Sequence, residues 1–150
     1  DCVNQLKEQD LWSPLRDWLE ADKPYFGICI GYQILFDHSE EFEGADGLGI
    51  LAGKVIRFPR NDLKVPHMGW NALDLVDRSD PLWHGLPENP HVYFVHSYYP
   101  QPEDDAVVSA HCDYGLRFAA AARKGNIVGT QFHPEKSQAL GLGILRNFTL

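Results

Sequence analysis

Cysteine and methionine are scarce in this 150-residue chain. It has three cysteines, Cys2, Cys29 and Cys112, and a single methionine, Met68. The cysteines are odd in number and form no CxxC pair, so the sequence indicates neither a disulfide framework nor a zinc knuckle. This cysteine usage fits a reducing, cytoplasmic setting.

Positive charge and long apolar runs are also in short supply. Lys and Arg number 13 against 21 Asp and Glu, which gives a net charge of -8. Electrostatic binding to nucleic acid or to an anionic membrane requires clustered Lys and Arg, which are scattered here. No apolar stretch approaches the length of a membrane span, and since we see no basic-then-apolar pattern we expect no secretory leader. We therefore expect small molecules and proteins as partners, with no nucleic acid and no membrane.

The length predicts one domain, residues 1–150, with a substantial core. Apolar spacing near the start predicts a helix that restarts at "WSPL", where Ser13 could cap and Pro14 open the second part. "YFGIC" predicts a buried strand and "GYQILFDHSEE" a helix, several strand-like runs follow, and a closing helix has Ser137 as a candidate cap. This order predicts a mixed sheet flanked by helices, an α/β architecture.

The stretch "GICIG" places Cys29 between Gly27 and Gly31. A strand that turns sharply into a helix exposes its corner residue, and glycines permit the backbone angles of such a turn. A helix N-terminus favours thiolate and lowers the pKa of a thiol, while the amide of Ile30 would face an oxyanion. The pattern is typical of a nucleophile elbow. The alternative is a small buried hydrophobe, which most free cysteines are.

The stretch "QFHPEK" supplies a base with an orienting acid. His133 and Glu135 are two apart, so in an extended chain they share a face, and Pro134 stiffens the strand end between them. A carboxylate there can hold the imidazole in one tautomer. A surface histidine beside a loop glutamate is the alternative. Together with Cys29, the pair predicts a Cys-His-Glu triad.

A metal site is the other chemistry that seven histidines allow. No pair of ligands stands at the helical or short Cys/His spacing that zinc favours, and His111 and Cys112 point to opposite faces of a strand. The sequence therefore predicts no metal.

These motifs together resemble the class I, triad-type glutamine amidotransferases. "GICIGYQILF" and the later "GTQFHPEKS" carry the resemblance, and "VPHMGWN" with "YFVHSYY" narrows it to the glutaminase subunits of imidazole glycerol phosphate synthase in histidine biosynthesis. The resemblance covers the chain from end to end. It implies a mostly parallel, flavodoxin-like fold, no cofactor, and a Cys29 thioester formed from glutamine with help from His133 and Glu135.

The resemblance also implies a substrate site and a partner. Gln33 and Glu41 would help to hold glutamine, and the backbone around Ser97 and Tyr98 would contact its head group, although both could be plain strand residues. The partner is a (β/α)8-barrel cyclase in a heterodimer. The positions that resemble its contact face, otherwise an ordinary hydrophobic turn, are Pro66, His67, Met68, Trp70 and Lys136.

Two expectations concern the limits of the resemblance. Family members begin with a βα unit and a "PGVG"-like oxyanion strand, so we expect a preceding segment that is not in these 150 residues. The glutaminase of another triad amidotransferase, acting in anthranilate, GMP or pyridoxal phosphate synthesis, is one alternative function. A non-catalytic binding module with the same fold is the other.

Overall fold

The computed structural model describes residues 2–41, 44–60 and 62–150. It contains helices and strands in alternation at first and then a run of strands closed by a helix. The helices are α1 (Cys2–Glu8), α2 (Trp12–Glu20), α3 (Ile30–Gln33) and α4 (Gln138–Thr149). The strands are β1 (Tyr25–Ile28), β2 (Phe36–Ser39), β3 (Ala45–Asp46), β4 (Leu51–Arg57), β5 (His67–Ala72), β6 (Asp74–Leu75), β7 (His91–His96), β8 (Tyr98–Pro102), β9 (Val108–Asp113), β10 (Arg117–Lys124) and β11 (Ile127–Thr130).

The strands of the described residues form three sheets. One has the order β1-β11-β10-β9-β6, a second has β3-β2-β4-β8, and β5 pairs with β7. The predicted α/β class with mixed pairing is confirmed. Among the described residues, however, parallel pairing joins only β1 to β11 and β2 to β4, so the expected predominance of parallel strands is not found. Two of the antiparallel pairs, β9-β10 and β10-β11, are hairpins of the second half of the chain. The pairs β4-β8, β5-β7 and β6-β9 join strands that are distant in sequence, and these are antiparallel as well.

The helix predicted after the glycine corner is much shorter than expected. α3 ends at Gln33, and the chain is extended again from Phe36, which pairs with Leu51 in β4. Asp37 Oδ2 accepts a hydrogen bond from the Gly53 amide at 2.9 Å, which anchors β2 to that strand. Strand pairing has therefore overridden the helical spacing of the apolar residues.

The break between the first two helices is confirmed, but its predicted cap is wrong. α2 begins at Trp12 after Leu11, so Ser13 lies inside the first turn, and the side chain at the N-cap position, Leu11, makes no capping hydrogen bond. Pro14 is tolerated there because first-turn amides have no intrahelical acceptor.

β11 is the strand that positions the site. All four of its residues are buried, with β1 parallel on one side and β10 antiparallel on the other. Buried aromatic side chains pack around this part of the sheet, among them Phe94, Phe118 and Phe132. A strand enclosed in this way holds the residues that follow it in fixed positions.

Gly27 lets β1 pass directly beneath the corner that follows it. A Cβ atom added at Gly27 would lie 2.2 Å from the carbonyl oxygen of Gly31. We expect Gly27→Ala to lower the free energy of unfolding by about 3 kcal/mol, because backbone must move to admit the methyl group. At Gly143 in α4 an added Cβ meets nothing within 4 Å. The matched Gly143→Ala should raise stability by up to about 1 kcal/mol. Denaturant unfolding of both variants measures this, and equal midpoints would contradict it.

Candidate active site

Cys29 occupies a strained corner between β1 and α3. Its backbone has φ 54° and ψ -101°, a conformation that non-glycine residues rarely adopt. The Cys29 amide donates to the Thr130 carbonyl at 2.7 Å, and the amides of Tyr32 and Gln33 donate to its own carbonyl at 3.1 Å. The sharp strand-to-helix corner expected from "GICIG" is therefore present, and β11 holds it in place.

The pKa of Cys29 departs from expectation. Burial, and then the nearby negative charge of Glu41, raise it to about 11, although hydrogen bonds from the Ile30 amide and from Gln131 act in the lowering direction. The prediction of a lowered pKa is wrong, because α3 has only four residues and its end cannot outweigh the loss of water. The thiol is therefore protonated at neutral pH, and it needs a base to become a nucleophile.

His133 follows β11, the strand that lies parallel to β1 and next to it. Ile28 is in register with Thr130, so Cys29 and His133 both follow the carboxyl ends of adjacent parallel strands. β11 ends at Thr130 and residues Pro134–Lys136 form a 3-10 turn, so His133 and Glu135 do not lie in the extended chain that the sequence predicted. This turn, rather than an extended strand end, brings His133 Nδ1 to 2.5 Å from Glu135 Oε1. Nδ1 donates to the carboxylate, which leaves Nε2 to accept a proton.

The backbone of His133 is held on both sides. Its amide donates to the Tyr93 carbonyl at 2.9 Å, and its carbonyl accepts from Ser137 Oγ at 2.6 Å. Ser137 Oγ in turn accepts from the Tyr93 amide at 3.0 Å. Ser137 was predicted to cap α4, but it makes no capping bond there and instead ties His133 to β7.

Gln131 is a residue that the sequence analysis missed. It is fully buried, and its Nε2 donates to Cys29 Sγ at 3.6 Å. Its position two residues before His133 is a signal that could have found it, since such residues share a face of an extended chain.

The predicted substrate residues lie around the same corner. Gln33 is buried, and its Nε2 donates to the Tyr98 carbonyl at 3.3 Å and to Gln131 Oε1 at 3.2 Å. Within the described ranges its Oε1 has no hydrogen-bond partner. Glu41 is half-buried, burial raises its pKa, and its charge acts on Cys29. The Ser97 carbonyl accepts from the Phe58 amide at 3.0 Å.

His67 does not lie on the surface, where the partner prediction placed it. It is 3% exposed and stacks against Phe94 and Tyr114, with ring centroids 4.7 Å and 3.9 Å away. Aromatic packing between strands distant in sequence has taken this side chain into the core. The side chain of His67 is therefore excluded as a direct contact of a partner protein.

The other predicted contact residues are accessible. Met68 and Trp70 are 55% and 49% exposed on β5, which is unusual for side chains of this size. Lys136 is exposed and Pro66 half-buried.

The two buried imidazoles His67 and His96 form a neutral pair. His96 Nδ1 donates to the Tyr98 carbonyl at 2.8 Å, so its Nε2 accepts from His67 Nδ1 at 3.0 Å. His67 Nε2 is then the acceptor for Asn71 Nδ2 at 3.4 Å. Burial lowers the pKa of His67 to about 4 and that of His96 to about 3. The carbonyl of Tyr98 can only accept a hydrogen bond, so it fixes which ring nitrogen carries the proton in both imidazoles.

This pair predicts a loss of stability in acid. The unfolded chain binds protons at both imidazoles below about pH 6.5, whereas the folded chain does not until pH falls towards 4 and 3, so stability falls with pH in that window. We expect a loss of about 2 kcal/mol per imidazole between neutral pH and about pH 5. The raised pKa of Glu41 acts in the opposite direction.

Denaturant unfolding at the two pH values measures this loss. The variant His91→Asn, at an exposed position, should keep the full pH dependence. Equal unfolding free energies at both pH values in the unaltered protein would contradict a neutral buried pair.

No cluster of three or more His, Cys, Asp or Glu suited to a metal occurs in the described ranges. Across the same residues, no helix combines the length and the apolar character needed to cross a membrane.

A family model described as glutamine amidotransferase class-I matches residues 7–150. The chain belongs to this family. It is 49% identical over 99% of its length to the imidazole glycerol phosphate synthase subunit HisH of Syntrophotalea carbinolica, of which it spans 74%. It is 51% identical over 98% of its length to the HisH subunit of Gloeothece citriformis, of which it spans 70%. These relatives confirm the narrower resemblance seen in the sequence.

Solved structures of similar shape agree with the fold. A crystal structure of a glutamine amidotransferase aligns with a TM-score of 0.68 at 20% identity, covering 97% of this chain and 71% of that one. A glutamine amidotransferase from Thermotoga maritima aligns with a TM-score of 0.62 at 19% identity, covering 96% of this chain and 54% of that one. The chain therefore spans about half of the latter protein, and identities this low support the fold alone.

Proposed function

We propose that this chain is the glutaminase subunit of an imidazole glycerol phosphate synthase, which hydrolyses glutamine and passes ammonia to a cyclase partner in histidine biosynthesis. One observation carries the chemistry. Cys29 and His133 follow adjacent parallel strands that are joined by the Cys29 amide and the Thr130 carbonyl, and His133 is bonded to Glu135. This arrangement supports the assignment of Cys29 as the nucleophile, His133 as the base and Glu135 as the orienting acid of an acyl transfer.

The first half of the reaction forms a thioester. His133 Nε2 takes the thiol proton as the sulfur attacks the side-chain amide carbon of glutamine, and the amide of Ile30 stabilises the oxyanion. When the intermediate collapses, the C–N bond breaks and His133 returns its proton to the departing nitrogen, which leaves as ammonia. Glu135 stabilises the imidazolium formed between these two transfers.

The second half frees the enzyme. His133 removes a proton from water, whose oxygen attacks the thioester carbon. The C–S bond then breaks, glutamate leaves, and the thiol regains its proton. Gln33, Glu41 and the backbone of Ser97 and Tyr98 hold glutamine during both halves.

Ammonia chemistry makes a docked partner part of this function. In neutral water ammonia is almost entirely ammonium, which is not a nucleophile, so a glutaminase that feeds a synthase must deliver its product through an enclosed path. The exposed side chains of Met68 and Trp70 on β5 support a cyclase-binding face there. We include Pro66 and Lys136 in the proposed face. We propose a heterodimer with a (β/α)8-barrel cyclase.

Glutamate release measured alone, then with the cyclase partner and its ribonucleotide ligand, tests the proposal. A sharp rise on adding both supports it. Release that ignores this partner would point instead to another triad amidotransferase, such as one acting in anthranilate, GMP or pyridoxal phosphate synthesis. No release under any condition, in a folded sample, would point to a binding module.

A further inference from the structure

A chain of buried hydrogen bonds ends on the sulfur of Cys29. It starts at the Tyr98 carbonyl, which accepts from Gln33 Nε2 at 3.3 Å; the same amide nitrogen donates to Gln131 Oε1 at 3.2 Å. Gln131 Nε2 then donates to Cys29 Sγ at 3.6 Å. Gln33 is 1% exposed and Gln131 is 0% exposed, so water does not compete for these bonds.

The carbonyl of Tyr98 fixes the donor and the acceptor of every hydrogen bond in this series. A backbone carbonyl can only accept, so Gln33 must turn its NH2 group towards Tyr98. The same NH2 group faces the side chain of Gln131, which must therefore present its oxygen. Only the NH2 group of Gln131 is then left for the sulfur. The Tyr98 carbonyl on β8 thus determines, through Gln33, that Gln131 presents an N–H donor to the sulfur of Cys29.

We propose that Gln131 is a further catalytic residue, whose amide N–H steadies the negative charge of Cys29 sulfur, and that Gln33 is the positioning residue that keeps this N–H facing the thiol. The proposal rests on the proposed function, since it assigns a role within the same reaction. It gives Gln33 a task besides the holding of glutamine.

The surroundings of the sulfur show why such a donor matters. Burial and the charge of Glu41 both disfavour the thiolate, and the described donors that favour it are the Ile30 amide and Gln131. The Ile30 amide is also needed by the oxyanion of the substrate. The negative charge on the Cys29 sulfur is greatest when the thiolate forms and again when the sulfur leaves the thioester. Gln131 would donate to the sulfur at both steps.

The pH dependence of Cys29 alkylation tests this proposal without glutamine. We expect Gln131→Met, which keeps the length and loses the donor, to slow iodoacetamide labelling of Cys29 about tenfold at neutral pH, as for a pKa raised by one unit. The labelled peptide, identified by mass spectrometry, separates Cys29 from Cys2 and Cys112. Gln101→Met, at an exposed position on β8, is the matched control and should label at the original rate.

A second variant covers the case in which Gln131→Met fails to fold. Gln33→Met removes the group that orients Gln131, and it should shift the labelling profile in the same direction by a smaller factor. An unchanged profile in a folded Gln131→Met protein would overturn the proposal. That result would leave the glutaminase function intact, whereas the absence of glutamate release by the folded, unaltered protein with its cyclase partner and ligand would overturn the function and leave the labelling result standing.

Discussion

Replacement of Cys29 by alanine is expected to lower the rate of glutamine hydrolysis by about four orders of magnitude or more, in the presence of the cyclase and its ligand. Without the sulfur no thioester can form, and the oxyanion donor and the glutamine-holding groups alone give only residual catalysis. Glutamate formation, followed by a coupled assay, measures the loss. Fold and partner binding should be unchanged, since the side chain is small and only the corner loses an atom.

A matched variant separates this effect from the general loss of a thiol. Cys2→Ala, in α1, removes a half-buried cysteine that has no place in the proposed mechanism, and it should hydrolyse glutamine at the original rate. Substantial hydrolysis by Cys29→Ala would show that another group attacks the substrate.

Replacement of His133 by asparagine is expected to lower the rate about a thousandfold, in the range usual for removal of a general acid-base group. The asparagine amide can still donate to Glu135 from the position of Nδ1, so the change removes the proton-accepting Nε2 and leaves the local contact. With its pKa raised to about 11, the Cys29 thiol depends on that acceptor. The loss should appear in kcat more than in KM, because His133 acts on the reacting atoms.

His91→Asn makes the same substitution at an exposed position on β7, away from the corner. It should retain full activity. If His133→Asn also retained most of its activity, proton transfer would have to be assigned to another group. His96 would be the imidazole to examine, since a charge on His133 lowers its pKa.

The parts of this site that could be predicted from sequence are the local ones. "GICIG" requires a tight corner because of its own backbone, and His133 reaches Glu135 through a single turn of chain. Gly27 and Gly31 indicate the corner in the sequence, and Pro134 indicates the turn between His133 and Glu135. The extent of α3 was harder to predict, because the pairing of β2 with β4 depends on residues that lie beyond the helical pattern.

The parts that could not be predicted depend on groups brought together by folding. The pKa of Cys29 is decided by burial and by Glu41, neither of which is visible in "GICIG". His67 enters the core because Phe94 and Tyr114 provide ring faces from other strands. The contact of Gln131 with the sulfur likewise requires β1 and β11 to be neighbours.

The thioester itself gives the most direct test of the central claim. The protein is mixed with isotopically labelled glutamine, the cyclase and its ligand, quenched in acid during turnover, digested and analysed by mass spectrometry. A single labelled γ-glutamyl group on the peptide that contains Cys29, absent from Cys29→Ala, is the predicted result. Glutamate production with no adduct on that peptide at any quench time, or with the label on another residue, would contradict the assignment of Cys29 as the nucleophile.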